Sequence, residues 1–433
     1  MSEALSNNII CAGYLFLWIL TFIGYHILRF KIDGGSAIML TYIIYALFSI
    51  FSINDFLFGD MYLPLTVLPF IYLYMMLMIA LSPAIYVHLY PTNKIENPNS
   101  RIPHLVSIII IVASFLLLPN ILSNFADGFV KLFTDVDAGK DAYSEQLEEV
   151  QAGGGSGISN LTAIIYNSLM DFPAFLTFYF LTKEKKNVWL ISGLFFAMLV
   201  GFLLPIMRGQ RGGVVMCTLT MFLAYMMYRN YLSAKVNKFV KSVGIILVIM
   251  VSLPIAAITI SRFGSDNVGP GVGGYINWYV GQGNLYFNNY AFDNGGIRYG
   301  DRTVNLFKRI IYPDTPQNYD ERRWKYRNLN IADNLFTTFV GDFVIDFGPV
   351  LATVFFILFF SFVLVNIRTR GDTIKLHQLV LLYFSMCICM QGGMTLFSFS
   401  DTSNLRIITI GLFYSYLRYH DALLERFPKR MIN

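Results

Sequence analysis

The chain has 433 residues, of which 55% are hydrophobic and only 14% are charged, and its formal net charge is +5. A soluble globular protein could not bury this much apolar surface in one core, so the composition excludes that class. The small positive charge follows from Lys and Arg beside membrane helices and does not indicate a nucleic-acid surface. We therefore predict an all-α polytopic membrane protein.

Apolar runs of roughly 17 to 25 residues, the length of a helix that crosses a bilayer, recur along the whole chain. We count eleven: 9–28, 36–53, 62–88, 105–123, 161–182, 188–207, 211–228, 243–260, 349–367, 377–397 and 405–419. Pro64, Pro69 and Pro83 permit a kink in the third run, so a count of ten or twelve stays open. The prediction is a single integral membrane domain, residues 1–433, built from about 11 transmembrane helices.

The distribution of Lys and Arg predicts the orientation, because cytoplasmic loops carry an excess of both. With the N-terminus outside, the inner segments hold 18 of the 32 basic residues and the short outer segments hold five. The other nine lie in the outer stretch 261–333, which is long enough to be translocated regardless of its charge. We predict an outer N-terminus and a cytoplasmic C-terminus.

The first long outer segment, residues 124–160, is acidic, with seven carboxylates against two lysines. It ends in a glycine-rich joint at 153–157, so we predict a solvated lid or tether. Asp135 and Asp137 have the spacing that many soluble glycosyltransferases use for a metal. In a loop this acidic, chance accounts for such a pair, and no metal site is predicted.

A turn between the sixth and seventh apolar runs carries Arg208 and Arg211 among three glycines. The apolar part of the seventh run, 214–228, would extend about 22 Å as a helix, whereas the hydrocarbon core is about 30 Å thick. The helix must therefore include the turn, which places Arg211 at its N-terminus. Terminal N–H groups and a guanidinium both favour an anion there. The alternative is that the arginines reach lipid headgroups.

The second long outer region, 261–348, combines a loop with a segment that returns to the membrane. Residues 298–327 hold eight basic and four acidic side chains, and aromatic and amide side chains precede them. Such a surface suits sugars and phosphates. The alternative is a solvated, partly helical loop that interfacial Tyr and Trp anchor.

The stretch 334–367 is too long for one membrane helix, because its 34 residues would extend about 51 Å. We predict a division at Gly348–Pro349, since proline disfavours helix at the preceding residue. The first half is then a re-entrant or interfacial segment in which Asp342 and Asp346 share one helical face. Acids at this depth need an arginine or a proton. A protonatable carboxyl would suit a general base; alternatively, the acids pair with Arg211 or Arg262 and hold the fold.

This layout resembles the oligosaccharide repeat-unit polymerases, the Wzy-type O-antigen and capsule polymerases of the bacterial inner membrane. The resemblance rests on the ten-to-twelve-helix layout, the Arg208–Arg211 turn, the outer loop that begins at Arg262, and the segment 339–348. It implies a metal-independent, cofactor-free membrane glycosyltransferase with a GT-C-like fold. Such enzymes move a glycan from one undecaprenyl pyrophosphate to a sugar hydroxyl on another lipid-linked repeat unit.

The resemblance and the charge of a departing pyrophosphate together suggest the site. Fixed guanidinium groups can stabilise that charge without a metal. We expect Arg211, Arg262 and Asp346 to act in catalysis and the remaining candidates to bind substrate: Arg208, Arg322, Arg323 and Asp342.

Other transferases and a transporter remain alternatives. An O-antigen ligase or another GT-C enzyme would share the arginines, but ligases are thought to use an outward histidine, and all five histidines lie at predicted inner ends. A lipid-linked oligosaccharide flippase would usually show two related halves, and none is evident. The expected partners are undecaprenyl-pyrophosphate-linked oligosaccharides and membrane lipids, with no nucleic acid. The sugars, the linkage and the binding of a chain-length regulator stay open.

Overall fold

A computed structural model describes residues 2–96, 98, 100–134, 158–207, 211–263, 271–316, 319–330, 335–369, 371–393 and 401–426. The described chain is mostly helical, which confirms the predicted all-α class in its main feature. Within these described ranges, seven helices are long and apolar enough to cross a membrane, or eight if one bent pair counts as a single span. The count of eleven and a GT-C-like fold are not confirmed.

The elements follow one another in this order: α1 (Glu3–Leu28), α2 (Gly34–Ile53), α3 (Val67–Leu89), β1 (Lys94–Glu96), α4 (Ile102–Thr134), α5 (Ile158–Ser168), α6 (Phe172–Leu181), α7 (Val188–Met207), α8 (Arg211–Tyr228), α9 (Ala234–Phe263), α10 (Gly271–Tyr286), α11 (Asn305–Ile311), α12 (Tyr319–Lys325), α13 (Thr338–Ile367), β2 (Thr373–Lys375), α14 (Leu376–Met390) and α15 (Asp401–Arg426). A 3-10 turn at Gly59–Met61 precedes α3, and a π-helical turn at Phe287–Ala291 follows α10. Three of the predicted apolar runs correspond to helices α8, α14 and α15; these runs are 211–228, 377–397 and 405–419. None of these helices is among the seven candidate membrane spans.

The chain divides into two compact units, each made of separate stretches. Unit one comprises Met1–Pro91, Val268–Arg368 and Phe384–Asn404. Unit two comprises Thr92–Asn267, Thr369–Tyr383 and Leu405–Asn433. Each unit is described by itself below.

In unit one, helices α2 and α10 approach closely because glycine lines the contact. Ser49 Oγ donates to the carbonyl oxygen of Gly281 at 2.9 Å. A Cβ atom on Gly281 would lie only 2.3 Å from the carbonyl oxygen of Phe48, so no larger residue fits without a shift. Elsewhere in the unit, Trp18 of α1 is fully buried and contacts the ring of Tyr42 on α2.

The asparagines of the π-helical turn hold the chain that leads into α3. The Asn288 side chain accepts from Thr66 N at 3.0 Å and donates to Thr66 O at 2.7 Å. Asn289 makes the same pair of bonds with Leu63, at 3.1 and 3.0 Å. These amides are among those that the sequence suggested for sugar binding. In the structure they satisfy the backbone of a neighbouring loop instead.

Helix α13 divides at Gly348, as the sequence predicts. Gly348 has φ +74°, a left-handed conformation that glycine adopts at little cost, and Pro349 follows it. The part after Gly348, residues 349–367, would extend about 28 Å, close to the thickness of the hydrocarbon core. The part before Gly348 is therefore not needed to cross the membrane.

Unit two contains a broken span where the sequence predicted one continuous helix, 161–182. Helices α5 and α6 are bent by 56° at a short break. Phe172 N donates to Leu169 O across the break, and Pro173 lies in the first turn of α6, where a missing N–H is tolerated. Pro173 and the polar Asp171 account for the bend.

Two short strands of unit two form a parallel pair that the all-α prediction does not include. The register pairs Lys94 with Thr373 and Glu96 with Lys375.

The acidic segment 124–160, predicted to be a lid or tether, lies largely outside the described residues. Helix α4 ends at Thr134 and α5 begins at Ile158, and Asp135 and Asp137 fall between them, outside the described part of the chain.

Candidate functional site

The predicted site residues fall into three groups. Arg208 lies outside the described residues. Arg211 is the first residue of α8, as predicted, and Arg262 lies in the last turn of α9; both belong to unit two, and their side chains lie outside the described part. The structure places the remaining four in unit one, and they are Arg322, Arg323, Asp342 and Asp346.

Asp342 and Asp346 lie one turn apart on the buried face of the first half of α13, as the four-residue spacing predicts. Arg302 Nη2 lies 2.9 Å from Asp342 Oδ1, and both side chains are essentially inaccessible to solvent. Arg302, on the loop before α11, thus supplies an arginine partner of the kind that the sequence predicted for an acid at this depth. The side chains of Arg211 and Arg262, the partners named as an alternative, lie outside the described residues.

Asp346 holds the backbone of the same loop. Its Oδ2 atom accepts hydrogen bonds from Arg302 N at 3.1 Å, from Thr303 N at 2.6 Å and from Thr303 Oγ1 at 2.7 Å. The residue is fully buried. A carboxylate with this many donors is already satisfied. The contacts favour a positioning role over the general-base role that the sequence suggested.

The loop before α11 packs against the end of the first half of α13 because backbone carbonyl groups are available there as acceptors. Ile345 O would normally accept from the residue four positions later, but Pro349 has no N–H. Arg298 N donates to Ile345 O at 3.1 Å, and Tyr299 N donates to Asp346 O at 2.8 Å. The Gly348–Pro349 break thus creates the acceptors that bind the backbone of this loop.

Three arginines are almost completely buried around these carboxylates. Arg298, Arg302 and Arg322 are each at most 2% exposed and rank among the largest fully buried side chains of the described chain. Burial and the nearby positive charges of Arg302 and Arg322 lower the pKa of Arg298 to about 10, against an opposing effect of Asp346. The guanidinium therefore stays protonated at neutral pH. We call these three residues the arginine cluster.

Asp301 joins the two short helices beside the arginine cluster. Lys308 of α11 contacts its Oδ1 atom, Lys325 Nζ of α12 lies 2.7 Å from Oδ2, and Tyr326 Oη lies 2.6 Å from Oδ2. Burial tends to raise the pKa of Asp301, but hydrogen bonds from Lys308, Lys325 and Tyr326 outweigh it and lower that pKa. Burial, together with the bond to Asp301, raises the pKa of Tyr326.

Positive charge exceeds negative charge among the groups that these contacts connect. The carboxylates are Asp301, Asp342 and Asp346, and the cations are the arginine cluster, Lys308 and Lys325. Asp320 and Glu321 of α12 are exposed, so solvent screens their charge more strongly. Five cations against three carboxylates, most of them buried, are suited to a multiply charged anion such as a phosphate or pyrophosphate.

Asn404, in the first turn of α15, also forms hydrogen bonds with the backbone of this loop and of α11. Its Nδ2 atom donates to Thr303 O at 3.2 Å, and Leu306 N donates to its Oδ1 atom at 3.2 Å. The residue is 3% exposed. Sequence analysis did not single it out, because nothing local marks an asparagine about 100 positions from its partners.

Arg298 and Arg302 were also missed as individual site residues, although the basic stretch 298–327 was recognised. The only local signal was the excess of eight basic over four acidic side chains. That excess does not distinguish buried from exposed arginines. Arg322 is buried as part of the arginine cluster, whereas its neighbour Arg323 is exposed.

A second ion pair, partly buried, lies in unit two, at the break between α5 and α6. Arg406 Nε donates to Asp171 Oδ2 at 3.0 Å, and Arg406 Nη2 lies 2.6 Å from Asp171 Oδ1. Asp171 lies within the predicted run 161–182, and an acid at membrane depth needs a partner, which Arg406 supplies here.

The part of the chain that the structure describes contains no group of three or more His, Cys, Asp or Glu side chains arranged to hold a metal ion. Comparison of the chain with protein-family models, with curated proteins and with solved structures gave no match in any of the three.

Proposed function

We propose that the chain is a membrane glycosyltransferase that joins undecaprenyl-pyrophosphate-linked oligosaccharide repeat units into a surface polysaccharide. In this proposal it acts on the outer face of the bacterial inner membrane, with its N-terminus outside. The arginine cluster binds a phosphate-bearing end of a lipid-linked substrate. The supporting observation is the burial of Arg298, Arg302 and Arg322 beside one end of a candidate membrane span.

The proposed chemistry needs positive charge at a fixed place. As the bond between the anomeric carbon and the pyrophosphate oxygen breaks, the acceptor oxygen bonds to that carbon, negative charge develops on the departing oxygen, and the hydroxyl proton passes to the released pyrophosphate or to water. Guanidinium groups held in a low-dielectric site stabilise that charge without reorganisation. Arginine also presents several N–H donors in a rigid plane, which matches phosphate oxygens better than lysine does.

The residues have different proposed roles. Arg322 and Arg298 contact phosphate oxygens, and Arg302 is held in place by Asp342. Asp346 positions the backbone of Arg302 and Thr303. Arg211 and Arg262 keep their predicted catalytic role at the donor pyrophosphate, and Arg208 and Arg323 keep their predicted role in binding substrate phosphates.

The decisive experiment complements a strain that lacks the gene and examines its surface glycan. Wild-type protein should restore long chains, whereas Arg322→Gln should leave core-linked glycan with a single repeat unit. Arg327→Ala is the matched control, because Arg327 is exposed and stacks over Trp324 at 4.3 Å. Membrane content and thermal unfolding of each variant show that the protein is folded. Full-length glycan from a folded Arg322→Gln protein would contradict the proposed site.

The glycan of the deletion strain also separates the activities. A single repeat on the lipid core indicates a lost polymerase. Long chains that remain on undecaprenol indicate a lost ligase, and repeats confined to the inner leaflet indicate a lost flippase. Arg211→Ala should abolish polymerisation and leave membrane insertion intact; a normal chain-length distribution from that variant would contradict the catalytic role predicted for Arg211.

A further inference from the structure

The C-terminal end of α11 presents three consecutive large apolar side chains to the outside. Ile310 is 76% exposed, Ile311 is 69% exposed and Tyr312 is 62% exposed. Water around such a patch is unfavourable, and exposed apolar clusters in folded proteins mark contact surfaces. We call these three residues the α11 tip.

The other face of α11 is fixed to the protein. Asn305 is buried, and its Nδ2 atom donates to Asp301 O at 3.1 Å and to Pro316 O at 2.8 Å. Lys308, one turn later, contacts the Asp301 carboxylate. The helix therefore has a held polar side and an outward apolar end, which is the pattern of a segment that lies in a membrane interface.

The neighbours of α11 place it near one end of a candidate span. The loop just before α11 is bonded to the last turn of the first half of α13, and a Cβ atom on Gly300 would lie 3.4 Å from the Phe347 ring. Residues 349–367 alone can cross the hydrocarbon core, so Phe347 lies at its boundary. Past the boundary, Val350 and Leu358 are 75% and 63% exposed, as side chains that face lipid would be.

These observations favour lipid as the occupant over protein or water. The α11 tip belongs to the segment that the Gly300–Phe347 contact places at the start of residues 349–367, where Val350 of α13 also exposes an apolar side chain. Its tyrosine is a residue type enriched at membrane interfaces. Trp324 on α12, by contrast, has Arg327 stacked on its ring and charged neighbours along its helix, and so does not extend the apolar patch.

We propose that the α11 tip is an interfacial anchor that inserts Ile310, Ile311 and Tyr312 into the adjacent lipid leaflet. Because Lys308 of α11 contacts Asp301, the anchor also holds Asp301 and the loop around it at the level of the lipid headgroups. The proposal does not rest on the glycosyltransferase activity.

The test measures where a spin label at the α11 tip resides in the full-length protein. Ile311→Cys carries a nitroxide, and the protein is placed in nanodiscs of phosphatidylcholine and phosphatidylglycerol. Collisions with oxygen, which concentrates in lipid, are compared with collisions with a water-soluble nickel complex. Asp314→Cys is the matched control, because Asp314 is exposed and only three residues away. The parent protein, labelled in parallel, gives the background from the four native cysteines, three of which are buried.

We expect the label at 311 to collide mainly with oxygen and to lose access to the nickel complex, and the label at 314 to show the reverse. Equal access of both labels to the nickel complex would overturn the proposal in favour of a solvated tip. Low access to both reagents at 311 would overturn it in favour of a protein partner, such as a second copy of the chain. Ile310→Cys provides the same reading if the 311 variant does not accumulate.

Discussion

Removing the carboxylate charge of Asp342 tests whether the arginine cluster depends on its buried ion pair. Arg302 Nη2 lies 2.9 Å from Asp342 Oδ1, with both side chains at most 1% exposed. Asp342→Asn keeps the shape of the side chain but removes the carboxylate charge that lies 2.9 Å from the buried Arg302 guanidinium. Breaking a buried pair from one side costs about 3 to 5 kcal/mol, so we expect a loss of that size in the free energy of unfolding.

The assay is reversible unfolding of the purified protein in mixed micelles, followed by circular dichroism. Asp314→Asn is the control, since an exposed carboxylate contributes no more than about 0.5 kcal/mol. The double variant Arg302→Met/Asp342→Asn completes the cycle, and it should recover much of the loss because no buried charge is left without a partner. If Asp342→Asn destabilises the protein no more than the Asp314 control does, the ion pair does not hold the loop and this reasoning fails.

Two further predictions concern other parts of the fold. Gly281→Ala should destabilise unit one by about 1 to 3 kcal/mol, because the added Cβ atom would meet the backbone of Phe48. Gly273→Ala on the same helix is the control: its Cβ atom would meet nothing within 4 Å, so this variant should be neutral or stabilising. Equal unfolding temperatures of the two variants would contradict this prediction. Burial lowers the pKa of Lys183 to about 8, so acylation of its amine should reach half its maximum rate near pH 8. A half-maximal rate at about pH 10 or above, followed by mass spectrometry, would refute this prediction.

Local rules predicted the features that depend on a few neighbouring residues. The division of α13 follows from the absent N–H of Pro349 and the freedom of Gly348, and both are visible in the sequence. The start of α8 at Arg211 followed from comparing the length of an apolar run with the bilayer thickness. The shared face of Asp342 and Asp346 followed from helical periodicity.

The partners of those acids could not be predicted in the same way. Arg302 and Asp342 are 40 positions apart, and Asp171 and Arg406 are separated by 235. A sequence shows that a buried carboxylate needs a cation but not which of 32 basic residues meets it. The same limit explains why Arg298 and Arg302 were not identified as site residues, although the excess of basic residues in the stretch 298–327 was recognised.

The interleaving of the two units constrains how the protein is made. Unit one needs residues up to Asn404, and unit two needs α15, so neither is complete until almost the whole chain has left the ribosome. Strand β1 is synthesised long before β2, its only partner in the described sheet. The helices that are synthesised first therefore lack part of their final contacts until the later segments of the chain have been made. We expect biogenesis to be the stage most sensitive to truncation, because shortening the chain from its C-terminal end removes part of unit two and, beyond Asn404, part of unit one as well.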